Sequence, residues 1–135
     1  MTTASISSGE GDAIRFIANF GGKRNEDAYL EVFFYPAGTS EAQARALAKE
    51  AATSRGLTER RADVPNYYKW SLAEYGFSSK LKGRGSIIGT GALGRHGDRF
   101  FRVTLQYPQD YAEGFVPRAH RILDEWRWED TGQGF

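Results

Sequence analysis

Three stretches of the chain carry apolar side chains in the manner of β-strands. Residues 13–20, AIRFIANF, place apolar side chains at every second position, with Arg15 and Asn19 between them, which is typical of a half-buried strand. Residues 28–35, AYLEVFFY, are largely apolar on both faces and predict an inner strand covered on two sides. Residues 99–107, RFFRVTLQY, alternate again. The short loop between the first two stretches predicts a hairpin.

Two further stretches have the i, i+3, i+4, i+7 spacing of amphipathic helices. Ser40 and Gln43 have the spacing of a capping box, so the first helix should begin there and end near Gly56. Pro117 is expected in the first turn of the second helix, where its missing N–H costs nothing. The predicted apolar stripes are Ala44, Leu47, Ala48 and Ala51 in the first helix and Ala119, Ile122, Leu123 and Trp126 in the second.

The segment 67–79 is open to two interpretations. Tyr68, Trp70 and Leu72 alternate as in a strand, whereas a helix would align Tyr68, Leu72 and Tyr75 on one side. A glycine and the density of aromatic residues favour the strand.

Residues 89–94, GTGALG, match the Gly-x-Gly-x-x-Gly pattern of dinucleotide sites. Such a site needs a helix that begins at this point, because the helix N-terminus receives the pyrophosphate. The following RHGDRFF predicts a turn and a strand instead. We therefore expect no cofactor, and we interpret these glycines as bends of a sheet or points of close approach.

Together these elements predict an α+β fold: a mostly antiparallel sheet of five to six strands packed by two main helices. The doubly apolar stretch favours one helix on each face, an α/β/α sandwich. We expect one globular domain over residues 13–128, with a flexible N-terminal tail at residues 1–12 and a C-terminal tail at residues 129–135.

Composition excludes several classes of function. The 135 residues carry a formal net charge of +1 and no basic stripe, so nucleic acid is not an expected partner. The absence of cysteine excludes disulfides, thiolate metal sites and thiol catalysis for this sequence. No apolar run is long enough for a transmembrane segment. The cytoplasm is the expected location as written, or the periplasm if Met1 replaces a removed signal peptide.

The aromatic cluster of the middle segment is the best candidate for a functional surface. Exposed rings would form a patch for a protein partner, whereas buried rings would be core, which we favour for Trp70, Leu72 and Phe77. Two histidines, His96 beside Asp98 in a turn and His120 on a helix surface, are too few for an expected metal site. No catalytic motif appears. The partner-binding candidates are Tyr67, Tyr68, Trp70 and Tyr75.

The run GRHGDRFFRVTLQYPQDYAEGFVPRAHRILDEWRW, residues 94–128, resembles the end of the PsbP-like domains, which include small bacterial lipoproteins and accessory proteins. The similar features are a last long strand, a short proline-containing link and a final amphipathic helix. The resemblance implies an α/β/α sandwich and a non-enzymatic accessory or protein-binding module. The alternative is a small-ligand-binding or hydrolytic domain with a pocket between sheet and helix.

Overall fold

The computed structural model describes residues 2–8, 11–20, 23–53, 58–59, 65–81 and 85–135. These residues build one antiparallel sheet. Its strands are β1 (Thr2–Ser8), β2 (Gly11–Phe20), β3 (Lys23–Phe34), β4 (Thr58–Glu59), β5 (Ala73–Leu81), β6 (Gly85–His96) and β7 (Arg99–Pro108). The helices are α1 (Glu41–Thr53) and α2 (Ala112–Glu125), and a 3-10 turn, Gln109–Tyr111, precedes α2. The predicted α+β class is confirmed, while β1 and the two-residue β4 were not indicated by the sequence.

Strands β3 and β7 lie at the centre of the sheet, whose order is β1-β2-β3-β7-β6-β5-β4. The chain folds inward from β1 to β3, crosses to the far edge through α1, and folds inward again from β4 to β7. Strand β3 therefore has a neighbour on each side, and both of its faces are covered and largely apolar as predicted, with the buried Glu31 as an exception. The predicted β2–β3 hairpin is confirmed, with Ile14 opposite Val32 and Phe16 opposite Leu30.

Alternation along the central strands places the two helices on opposite faces of the sheet. Phe33 and Phe100 pack in a cluster with the alanines of α1. Their chain neighbours Phe34 and Phe101 pack in a second cluster with Phe115 of α2. Because successive side chains of a strand point to opposite faces, the two clusters lie on either side of the sheet. We call these sides the α1 face and the α2 face.

Helix α1 begins with the predicted capping box. The backbone N–H of Gln43 donates to Ser40 Oγ at 3.1 Å, and the backbone N–H of Ser40 donates to Gln43 Oε1 at 3.0 Å. Two of the orphan donors at the start of the helix are thereby satisfied. The last described residue of α1 is Thr53, and the predicted end at Gly56 lies outside the described residues.

The buried stripe of α1 differs from the predicted one. Ala44, Ala48 and Ala52 are buried, whereas Leu47 is 43% exposed. The alanines are four residues apart and lie on one side of the helix. Helix α1 therefore contacts the sheet through a narrow row of methyl groups, and Leu47 lies on its flank.

Helix α2 begins earlier than the sequence predicted. The 3-10 turn leads directly into it, so Pro117 lies inside the helix rather than in its first turn. The proline removes one helical hydrogen bond, a cost that the burial of the apolar side of α2 offsets. Phe115, Ala119 and Leu123 are buried on that side.

Both segments expected to be tails contribute to the structure. Strand β1 pairs with β2 from Thr2 opposite Ile17 to Ser8 opposite Gly11. At the other end, the Phe135 ring stacks on Trp126 and on Trp70, with centroids 5.1 Å apart in each case. The folded layer on the α2 face thus extends beyond the end of α2.

The segment 67–79 is a loop followed by a strand. Residues 67–72 form a bent loop, and β5 begins at Ala73. The strand interpretation therefore holds only for the second half. Leu72 packs partly buried against the α1 cluster, while the side chain of Phe77 lies outside the described part of the chain.

The Gly-x-Gly-x-x-Gly stretch lies inside β6 and continues through a turn into β7, as predicted. At Gly94, an added methyl group would collide with the Phe101 ring and lie 2.8 Å from Trp70 Cε3. At Gly91, the same methyl group would meet no atom within 4 Å. Gly94 therefore provides room for aromatic packing on the α2 face.

Candidate functional site

The four predicted partner-binding residues differ in exposure and in the cluster they pack against. Tyr67 is 65% exposed, and Tyr68 and Trp70 are half-buried on the α2 face. Tyr75 is buried in the α1 cluster, on the other side of the sheet. Tyr75 nevertheless lines a hollow together with Tyr67 and Tyr68, and its role in binding stays a prediction.

The loop that carries the two tyrosines is held by a buried carboxylate. Glu74 is 4% exposed, and its two oxygens accept hydrogen bonds from the backbone N–H groups of Tyr67 and Tyr68, both at 2.8 Å. Ser71 Oγ lies 2.8 Å from Glu74 Oε2 and 2.8 Å from Tyr68 O. Hydrogen bonds to an ionised acceptor are among the strong ones, so this carboxylate fixes the backbone from which both rings project.

His120 of α2 completes the surface. Its ring stacks on Tyr67, with centroids 5.7 Å apart and an interplanar angle of 16°. His120 Nε2 lies 3.5 Å from the Tyr68 hydroxyl. Tyr68 in turn stacks on Trp70 at 4.9 Å. We call Tyr67, Tyr68 and His120 the aromatic ridge.

The ridge separates two hollows on the α2 face. One has a volume of about 170 Å³ and reaches the sheet at Thr90 and Leu105. The other has a volume of about 380 Å³ and is lined by Trp70, Leu123 and Phe135. All three ridge residues line both hollows. A partner protein could contact the exposed Tyr67 ring and insert its own side chains into the two hollows.

Sequence reasoning missed Glu74 and His120 as members of this site. His120 was interpreted as a helix-surface residue, since nothing in its local sequence indicates that it meets the loop at residues 67–72. Glu74 offers one signal: it is a carboxylate inside an aromatic-rich strand, where an acidic residue must find donors.

His96 pairs with a different acid from the one beside it in sequence. Its Nε2 lies 2.8 Å from Asp130 Oδ1, and its ring stacks on Trp128 at 4.0 Å. The hydrogen bond from His96 lowers the pKa of the exposed Asp130 carboxyl. In the described ranges, no group of three or more His, Asp and Glu side chains could hold a metal ion.

Comparisons with known proteins identify no relative of this chain. No protein-family model, no curated protein and no solved structure matches it. Neither helix within the described segments combines the length and apolar character that a membrane crossing requires.

Proposed function

We propose that the protein is a non-enzymatic accessory module that binds a protein partner through the aromatic ridge. The observation that carries this proposal is the combination at Tyr67 of a ring that is 65% exposed and a backbone held by the buried Glu74. A rigid, exposed aromatic side chain loses little conformational freedom on binding. Tyrosine is also among the residues that contribute most at protein interfaces.

The chemistry around the ridge favours binding over catalysis. The oxygens of Glu74 already accept from the backbone amides of the two tyrosines, while Ser71 lies within hydrogen-bond distance. A carboxylate engaged in this way is a structural acceptor rather than a general base. The smaller hollow is mainly apolar, and the larger one combines Trp70 and Leu123 with Asp124, which suits a segment that carries both apolar and polar side chains.

The resemblance of residues 94–128 to PsbP-like domains supports the same proposal. Such domains are accessory or assembly modules more often than enzymes, and their α/β/α sandwich agrees with a helix on each face of an antiparallel sheet. We therefore include membership of this PsbP-like group in the proposal.

Affinity capture with matched variants tests the ridge. Wild type, Tyr67→Ala and Tyr111→Ala are each used as bait in native extract, and recovered proteins are quantified by mass spectrometry. Tyr111 is the control because it is another exposed tyrosine, 37% accessible. We expect at least one protein that wild type and Tyr111→Ala recover equally and Tyr67→Ala recovers about tenfold less. Equal recovery by all three baits would show that the ridge is not the binding surface.

A second variant separates the ring from its support. Glu74→Gln keeps Tyr67 but replaces one acceptor oxygen by an NH2 group that cannot accept from a backbone N–H. We expect Glu74→Gln to recover the same partner at a level between wild type and Tyr67→Ala. Recovery at the wild-type level would mean that the rigid backbone is not part of recognition.

A further inference from the structure

The α1 face carries a buried cluster of charges beside its helix. Arg15 Nε donates to Glu31 Oε2 at 2.9 Å, and Arg102 lies 3.7 Å from Glu31 Oε1. The Glu31 side chain is 5% exposed, that of Arg102 14% and that of Arg15 24%. Two guanidinium groups thus share one carboxylate, which leaves one positive charge in excess.

The excess charge belongs to Arg102. Arg15 makes the close contacts with Glu31, whereas the Arg102 distance of 3.7 Å is beyond hydrogen-bond length. Arg102 donates one hydrogen bond, to the Tyr35 hydroxyl at 3.3 Å. A guanidinium carries five N–H donors, and Arg102 has no second hydrogen bond among the described residues. The guanidinium also lies over the Phe33 ring, 4.9 Å from its centroid. No Arg102 nitrogen is among the buried atoms without a hydrogen-bond partner in the described part of the chain, so its remaining N–H groups are open to solvent and can donate to an anion.

A groove opens next to this guanidinium. It has a volume of about 750 Å³ and runs between α1 and the end of β3, with Arg102 in its lining. Phe33, Leu47 and Ala51 supply apolar surface, and the exposed Glu50 lies on the helix side. The volume lies within the roughly 300–1,000 Å³ of small-molecule sites. The exposed Leu47 on the flank of α1 is thereby explained as a wall of the groove.

We propose that this groove binds a small monocarboxylate with an apolar body, whose carboxylate pairs with Arg102 and the Tyr35 hydroxyl. The fork of a guanidinium matches the two oxygens of a carboxylate. The body of the ligand lies against Phe33 and Leu47. Glu50 disfavours a second negative charge, so the site selects a monoanion.

The hydroxyl of Tyr35 is suited to this role. Burial raises the pKa of Tyr35, although the Arg102 guanidinium beside it offsets part of the rise. The hydroxyl therefore keeps its proton at neutral pH and can donate to a carboxylate while it accepts from Arg102. This site is independent of the aromatic ridge, because the two lie on opposite faces of the sheet.

Titration with matched small molecules tests the ligand class. Two monocarboxylates, hydrocinnamate and cyclohexylacetate, are titrated into the full chain at concentrations up to about 10 mM. The amide of hydrocinnamate and phenyl phosphate are titrated in the same way, and binding is followed by calorimetry and NMR shifts. We expect hydrocinnamate to bind at least about tenfold more tightly than the amide, which lacks the charge, and than the dianionic phosphate. Failure of both hydrocinnamate and cyclohexylacetate to bind, or equal binding of the amide or the phosphate, would overturn the proposal.

Two pairs of variants locate the site. Arg102→Gln should abolish hydrocinnamate binding, and Arg102→Lys should restore part of it because the charge returns without the fork. Leu47→Glu places a negative charge in the groove at an exposed helix position, so it keeps the fold and should weaken binding at least about tenfold. Ala42→Glu adds the same charge at an exposed position of α1 that does not line the groove. Equal affinities for Leu47→Glu and Ala42→Glu would contradict the proposal.

Discussion

Helices α1 and α2 cover opposite faces of one sheet, yet the side chains that surround the two helices differ in size and polarity. On the α2 face, Trp70, Phe101 and Phe135 form a connected layer of rings. On the α1 face, small alanines lie under the helix, and the charged cluster of Glu31 and its arginines continues beyond it. The α2 face is thus filled by aromatic rings, whereas the α1 face has buried charged side chains next to an open groove.

The size of the buried helix residues explains this difference. Helix α2 presents Phe115 and Leu123 to the sheet, and rings from the loop at residues 67–72 and from the end of the chain fill the space around it. Helix α1 presents only methyl groups, which occupy a narrow strip. The surface left beside α1 holds Arg102 and Phe33 at the wall of the groove. The ring-filled face is thus suited to surface recognition, and the alanine-covered face to a small ligand.

Removal of a ring should produce the largest loss of stability. Trp126→Ala deletes an indole that stacks on Phe135 and contacts Phe34 and Trp128, and we expect the free energy of unfolding to fall by about 3–5 kcal/mol. Trp126→Phe should recover most of that loss, because the indole N–H is buried with no hydrogen-bond partner in the described part of the chain. Urea denaturation measures both variants. A loss in Trp126→Phe as large as in Trp126→Ala would contradict the packing described for this face.

The charged cluster gives the matching test on the α1 face. Glu31→Gln leaves two guanidinium groups without their carboxylate, and we expect a loss of about 3 kcal/mol in the free energy of unfolding. Glu41→Gln is the control, since Glu41 pairs with Arg45 on the surface of α1, where both side chains are about half exposed. That change should cost less than about 0.5 kcal/mol. Similar losses in the two variants would show that the Glu31 cluster is solvated and that water balances the charge of Arg102.

Two glycines of β6 test how tightly the rings pack on the α2 face. Gly94→Ala forces a methyl group against Phe101 and Trp70, and we expect it to destabilise the protein by about 1–3 kcal/mol. Gly91→Ala meets open space and should be neutral or stabilising by about 0.5 kcal/mol, because alanine loses less backbone entropy on folding. Melting temperatures report both changes, and equal shifts would mean that the rings do not crowd Gly94.

The smallest expected effect is on the loss of stability at alkaline pH. Folded Tyr35 holds its proton to higher pH than the unfolded chain, because burial raises its pKa. The associated stability is present below the ordinary tyrosine pKa of about 10 and is lost as pH rises through the raised value. Tyr35→Phe removes the titrating hydroxyl and with it this pH-dependent stability. The melting temperature of the variant should therefore fall less than that of wild type from about pH 9 to about pH 11.

Tyr107 of the α2 face is the control for this measurement. Burial also raises its pKa, but Tyr107 is half-buried whereas Tyr35 is 2% exposed. Tyr107→Phe should therefore change the alkaline loss less than Tyr35→Phe. The reverse order would show that the α1 face admits water to its buried tyrosine.

Much of the fold could be predicted because its signals are local. The capping box of Ser40 and Gln43 and the alternation around Val32 depend on neighbouring residues alone. The side of α1 that packs on the sheet could not be predicted in this way. Alanine and leucine at helical spacing do not indicate which of them faces the sheet and which faces the groove. Strand β1 was missed because an edge strand pairs on one side and needs no apolar pattern.

The candidate sites depended on contacts between distant parts of the chain. His120 reaches Tyr67 from another element, and Arg102 meets Glu31 across two central strands. No spacing in the sequence encodes such encounters, so the tyrosines could be proposed as a surface while their supporting residues could not. The burial of Tyr75 could not be foreseen for a related reason: the boundary between loop and strand at Ala73 decides which cluster its ring joins.

The adjacent pairs Phe33–Phe34 and Phe100–Phe101 have a consequence for how this protein can change over generations. Each pair places one ring on each face of the sheet. Deletion or insertion of a single residue within β3 or β7 would therefore move the side chains of each face to the opposite face. Replacement of one side chain by another of similar volume disturbs only one layer. Descendants of this sequence should therefore vary in residue identity along the central strands far more readily than in strand length.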